Sequence, residues 1–78
     1  MSRYHARQAL REVVENQLRD NDPPQTRQTL DRLMAAGYSR AQAIDMIAAA
    51  VLTEMHSMLA AGRVFDLARF KRQLDRLH

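Results

Sequence analysis

The chain has 78 residues, no cysteine and only two glycines and two prolines, which fits a single domain and excludes both disulfides and thiolate metal sites. Twelve lysines and arginines against nine acidic residues give a net charge of +3, an excess that favours an acidic partner only slightly. The N-terminus lacks the apolar run of a signal peptide, and the most apolar run, residues 43–52, contains Asp45 and is shorter than the roughly 20 residues of a membrane span. We therefore expect a soluble cytoplasmic protein with no membrane partner.

No stretch alternates apolar and polar residues with a period of two, so the sequence predicts helices throughout. The first, residues 3–19, has an apolar stripe with Arg11 and Glu15 paired one turn apart outside it. The second, residues 23–36, starts where Asp22 can cap and Pro23 can take the first helical position. The stripes of these two helices consist of Ala6, Leu10, Val13, Val14 and Leu18, and of Leu30, Leu33 and Met34, with Thr26 and Thr29 at the margin.

The third helix, residues 40–61, organises the rest of the chain. Ser39 and Gln42 fit a capping box, and Gly62 can end the helix in the left-handed conformation. Apolar residues spaced three and four apart predict a side that faces a core. These residues are Ile44, Ile47, Ala48, Val51, Met55, Met58 and Leu59.

The fourth helix, residues 67–77, begins after Asp66, which can serve as its N-cap. Phe65 can contact Phe70 as a hydrophobic staple, Leu67, Phe70, Leu74 and Leu77 form an apolar stripe, and Lys71 and Asp75 have the spacing of an ion pair. The sequence thus predicts one all-α domain over residues 1–78, a bundle-like arrangement of four helices around the long third one.

A second face of the third helix carries small or flexible residues that would let another helix approach closely. That helix can be the first or fourth of the same chain, or a copy from a second chain. A chain this short without a disulfide often gains stability by self-association, so we expect a homodimer or another protein partner. We expect the homodimer to form through this face of the third helix or through the C-terminal helix. The candidate interface residues are Ala43, Met46, Ala50 and Ser57 on the third helix, and Phe70 and Leu74 on the fourth.

The alternative function is nucleic-acid binding through arginine-rich helix faces. The candidate phosphate contacts are Arg3, Arg7, Arg40, Arg69, Arg72 and Arg76. Interleaved acidic residues favour the simpler interpretation that these are solvated outer faces. Residues 30–47 have the outline of a helix-turn-helix, but only Arg40 and Gln42 could contact bases there, and base recognition needs several contacts.

No pattern indicates catalysis, a metal or a cofactor. His5, His56 and His78 stand apart, without the spacing at which two ligands on a helix reach one ion. Ser39 suits a cap better than a nucleophile, because no glycine-rich elbow or base accompanies it. We therefore expect a non-enzymatic interaction or scaffold domain, without catalytic, cofactor-binding or metal-binding residues.

Short motifs spread over nearly the whole chain are Val14-Glu15-Asn16-Gln17-Leu18, Asp22-Pro23-Pro24, Arg32-Leu33 with Gly37, Ala43 with Ile47, Leu52 with Glu54, and Phe65-Asp66. With these motifs the chain resembles a bacterial family of small all-helical proteins of unknown function. The resemblance implies a fold and no catalytic residue. Members of that family often carry His-Glu-Ala-x-His where this chain has residues 41–45, and a further His where it has Arg11, so any metal ligands at those places are absent here.

Overall fold

The computed structural model describes residues 3–78, with side chains from His5 onward. It contains the helices α1 (Arg3–Asp20), α2 (Pro24–Ala35), α3 (Arg40–Ala61) and α4 (Leu67–Asp75), and no strand within the described part of the chain. The predicted all-α, four-helix architecture is confirmed, and the predicted helix boundaries lie within two residues of the observed ones.

Helix α3 is the centre of the fold, because α1, α2 and α4 all pack against it. Its residues Ile44, Ile47 and Val51 are buried in one core shared by all four helices. The other buried apolar members of that core are Val14, Leu18, Leu30, Leu33, Ala43, Ala48, Ala50, Phe70 and Leu74. Hydrophobic burial on α3 thus stabilises the positions of its three neighbours.

The predicted start and end of α3 are confirmed. The Gln42 backbone N–H donates to Ser39 Oγ at 3.1 Å, and the Ser39 N–H donates to Gln42 Oε1 at 2.8 Å, which completes the capping box. Gly62 ends the helix with φ of 61°. At α4, the Asp66 side chain accepts from the Arg69 N–H at 3.1 Å, as an N-cap should.

The start of α2 corrects the sequence prediction. Its N-cap is Pro23, which is extended at φ −79° and ψ 153°, and no side chain caps the helix. Pro24 therefore takes the first helical position, and the Asp22 N–H instead donates to the Gln17 carbonyl of α1 at 3.0 Å. Thr26 is fully buried rather than marginal, and its hydroxyl donates to Gln17 Oε1 at 2.8 Å.

The second half of α3 departs from the prediction as well. Met55 is 42% exposed and Leu59 is 81% exposed, although their spacing placed them on the core side. All three neighbours are shorter than the 22 residues of α3, with 18 in α1, 12 in α2 and 9 in α4, and the buried apolar residues of α3 end at Val51. Met34 of α2 and Leu67 of α4 also lie at the edge of the core, each 43% exposed.

Candidate interaction surface

The predicted interface residues are largely covered within the chain. Ala43, Ala50, Phe70 and Leu74 are buried in the core, and Met46 and Ser57 are half-buried. The small-residue face of α3 is therefore packed by helices of the same chain, which was one of the two alternatives for it. This corrects the expectation that a second copy binds there, because alanines allow close packing by whichever helix is nearest.

Two of the arginines predicted to contact phosphate are paired with carboxylates of neighbouring helices. Arg7 of α1 lies 2.9 Å from Asp45 of α3. The two terminal nitrogens of Arg40 donate to the two carboxylate oxygens of Glu15, at 2.8 and 2.7 Å. The two hydrogen bonds from Arg40 lower the pKa of Glu15. The predicted pair of Arg11 with Glu15 does not form, since Glu15 is taken by Arg40 and Arg11 lies 3.4 Å from Asp45.

A third predicted arginine, Arg69, forms a buried ion pair that connects α4 to α3. Its guanidinium donates to both oxygens of Glu54, at 2.7 and 2.8 Å, and Glu54 is only 2% exposed. Glu54 also accepts from the Asp66 N–H at 3.3 Å. The bonds from Arg69, followed by that backbone bond, lower the pKa of Glu54 against the opposing effect of its burial. Sequence reasoning missed this pair because its members are 15 residues apart.

Of the remaining predicted phosphate contacts, Arg72 and Arg76 lie exposed on α4 and at its C-terminal end. Neither forms an ion pair with any described residue, whereas the side chain of Arg3 lies outside the described residues. The six arginines therefore do not form one free basic patch, because binding phosphate at Arg7, Arg40 or Arg69 would require breaking an existing ion pair.

Several large apolar side chains are exposed on the C-terminal half of α3 and on the connection to α4. We define the outer α3 surface as Leu52, Met55, Leu59, Val64 and Phe65. Leu59 is 81% and Val64 83% exposed. Every residue from 52 to 68 except Glu54 is exposed or half-buried. Large exposed apolar patches often mark interaction sites, and these side chains are the candidates for one here.

Two clefts flank this surface. The α1–α3 cleft, of about 320 Å³, is lined by Ala6, Arg7, Leu10, Asp45, Ala48, Ala49 and Leu52. The α4 cleft, of about 190 Å³, is lined by Val13, Gln17, Val51, Glu54, Met55, Met58, Phe65 and Phe70. The charged groups in both clefts already have partners, Arg7 with Asp45 and Glu54 with Arg69. Both clefts are therefore mainly apolar without a free charge.

Among residues 3–78, no group of three or more His, Asp or Glu side chains could hold a metal ion. Ser39 serves as the N-cap of α3, and His56 and His78 are exposed at separate places. What the described geometry does offer is apolar surface for another molecule.

Helix α3 also meets the length and composition of a membrane span. It has 22 residues, a mean hydropathy of 1.3 in its most apolar stretch, and 39% of that stretch is buried in the fold. The sequence argument considered only residues 43–52 and so underestimated the length. Central helices of folded domains have the same composition, and here Asp45 and Glu54 of α3 are paired with arginines of α1 and α4.

Comparison with known proteins adds no relative. No protein-family model matches the chain, and searches of curated proteins and of solved structures find no similar protein. The resemblance to a bacterial family of small helical proteins therefore stays a prediction.

Proposed function

We propose that the protein is a non-enzymatic interaction domain that self-associates through apolar surface left uncovered by its own helices. The observation that supports this most directly is the outer α3 surface, where Leu59 and Val64 are more than four-fifths exposed. In a folded monomer, large aliphatic side chains are usually the ones removed from water. A second copy would cover them without any change in the fold.

Electrostatics do not oppose this association. Glu54, within this segment of α3, is buried and paired with Arg69, and the exposed charges of the α3–α4 connection, Arg63 and Asp66, have opposite signs. Two copies therefore meet through a surface with little net charge, and like-charge repulsion does not limit their approach.

Light scattering after size exclusion, from low micromolar to millimolar concentration, tests the proposal. We expect the mass to rise with concentration toward that of a dimer. Met55→Glu should weaken the association by at least about tenfold, because burying an unpaired carboxylate costs more than about 1.4 kcal/mol. Met34→Glu is the matched control, since Met34 is equally exposed, at 43% against 42%, but lies on α2.

A monomeric mass at every concentration would refute self-association. Equal weakening by the two glutamate variants would also count against it, because the effect would then not depend on the outer α3 surface. Binding of the protein to lipid vesicles, abolished by Met55→Glu but not by Met34→Glu, would assign the same surface to a membrane instead.

The alternative proposal, nucleic-acid binding, has support from Arg72 and Arg76, which are exposed and form no described ion pair. Phosphate contacts release counterions, so affinity should fall steeply as salt increases. A fluorescence titration with duplex and single-stranded oligonucleotides at low salt tests this. No binding at low salt, or binding that Arg72→Ala and Arg76→Ala leave unchanged, would contradict it.

A further inference from the structure

Two apolar features lie on opposite sides of Met55 along α3. One is a group of exposed side chains of the outer α3 surface, and the other is the α1–α3 cleft. Toward the C-terminus, Leu59 and Val64 project into solvent. Toward the N-terminus lies the α1–α3 cleft, whose floor consists partly of the small side chains Ala48 and Ala49. The surface thus carries both an apolar protrusion and an apolar cleft of about 320 Å³.

Resting on the self-association proposed above, we propose that a second copy binds through an antiparallel α3–α3 contact. The two-fold axis passes beside Met55 and His56, so that Leu59 of each copy lies against Leu52 of the other and enters its α1–α3 cleft. Leu52, Met55, His56 and Leu59 are spaced three, four and seven residues apart, which places them on one side of the helix. All four are exposed, so this row is open to a second helix.

Two-fold symmetry allows both a parallel and an antiparallel arrangement, and the fit of protrusion to cleft favours the antiparallel one. In a two-fold dimer each residue contact occurs twice, with the roles of the copies exchanged. A parallel pairing of the two α3 helices would place protrusion against protrusion and leave both clefts empty. The antiparallel pairing places each protrusion over a cleft, twice, and it also sets the dipoles of the two helices in opposite directions.

The available area suffices for a standard dimer interface. Such an interface buries about 800 Å² on each partner, which is roughly 15% of the 5249 Å² of this chain. The sixteen exposed or half-buried residues between positions 52 and 68 are about a fifth of the chain, and the α1–α3 cleft adds to them. The surface is therefore large enough without involving α2.

Single-cysteine variants test the arrangement, because the natural chain has no cysteine to interfere. A disulfide forms only where two Cα atoms approach within about 7 Å. We expect His56→Cys, beside the axis, to form a disulfide-linked dimer under mild oxidation. Leu52→Cys and Leu59→Cys should link poorly when each is alone and efficiently when mixed. Gln28→Cys, exposed on α2, is the control and should stay monomeric.

If wild-type protein dimerises but Leu52→Cys links to itself as well as to Leu59→Cys, the antiparallel arrangement is overturned and self-association is not. If wild-type protein is monomeric at every concentration, both proposals fail together.

Discussion

The contact between the rings of Phe65 and Phe70 should make a measurable contribution to the free energy of unfolding, because it holds α4 against the rest of the fold. The two rings lie 5.7 Å apart at their centroids with a tilt of 58°, a geometry that contributes about 0.5–1.5 kcal/mol beyond burial. Phe70 is 1% exposed, so Phe70→Leu also loses roughly 1–1.5 kcal/mol of packing. We expect a total loss of about 1.5–3 kcal/mol, or roughly 6–24 °C in Tm for a domain of this size.

Urea unfolding followed by circular dichroism would measure this, at a protein concentration low enough that light scattering shows only the monomer for every variant, because Phe65 belongs to the outer α3 surface and association would shift the apparent stability. Phe65→Leu is the matched change at the other ring, which is 47% exposed, and it should lose only about 1 kcal/mol. The double variant should lose less than the sum, by the energy of the ring contact. A coupling below about 0.3 kcal/mol, the usual error of additivity, would refute the reasoning.

Three further changes test how the helices are held and capped. The lowered pKa of Glu54 means that its ion pair stabilises the fold above the unfolded-state pKa, near 4.3, and that this stability is lost as pH falls through the folded-state pKa. Urea unfolding across pH should therefore show a smaller loss on acidification for Glu54→Gln than for wild type, and Glu15→Gln, at an exposed ion pair, should change that loss less. Arg32 donates to the Leu77 and Leu74 carbonyls at 2.6 and 2.9 Å, so Arg32→Met should speed amide exchange in α4, measured by NMR, and Arg27→Met should not. Gly62→Ala should lower the free energy of unfolding by about 1–2 kcal/mol, because φ at this position is 61° and a residue with a Cβ is disfavoured there. No atom lies within 4 Å of the added Cβ, so a clash does not contribute. Asparagine adopts this conformation more readily than alanine, so an equal loss for Gly62→Asn would contradict the backbone origin.

Local rules explain how much of the fold could be predicted. The capping box at Ser39, the cap at Asp66 and the contact of Phe65 with Phe70 each involve residues within five positions, and all three are observed. The α2 cap failed because two consecutive prolines left the choice of first helical residue open, and the structure places it one residue later.

Burial on the long helix could be predicted only in part. The three- and four-residue spacing correctly assigned Ile44, Ile47 and Val51 to the core. The same spacing wrongly included Leu59, because periodicity identifies a side of a helix and not the length over which neighbours cover it. Comparing the predicted lengths of the helices would have signalled that the end of α3 extends beyond its neighbours.

Sequence spacing predicted an ion pair within one helix but not the ion pairs between helices. The spacing of Lys71 and Asp75 correctly predicted their contact, at 2.9 Å. Glu15 instead pairs with Arg40, which is 25 residues away, because the close packing of α1 on α3 presents a partner that sequence spacing does not reveal. For the same reason, sequence spacing alone could not show which side of α3 its neighbours leave uncovered.

The two side chains that fasten α4, Arg32 and Glu54, both precede it in the chain. A helix of nine residues is too short to persist alone in water, so α4 is ordered only while it is docked on the segments that carry these anchors. Whenever α4 detaches, the core side chains that pack against Phe70 and Leu74 become exposed to water. The partly unfolded chain then carries more apolar surface than the native protein, which makes it prone to aggregate.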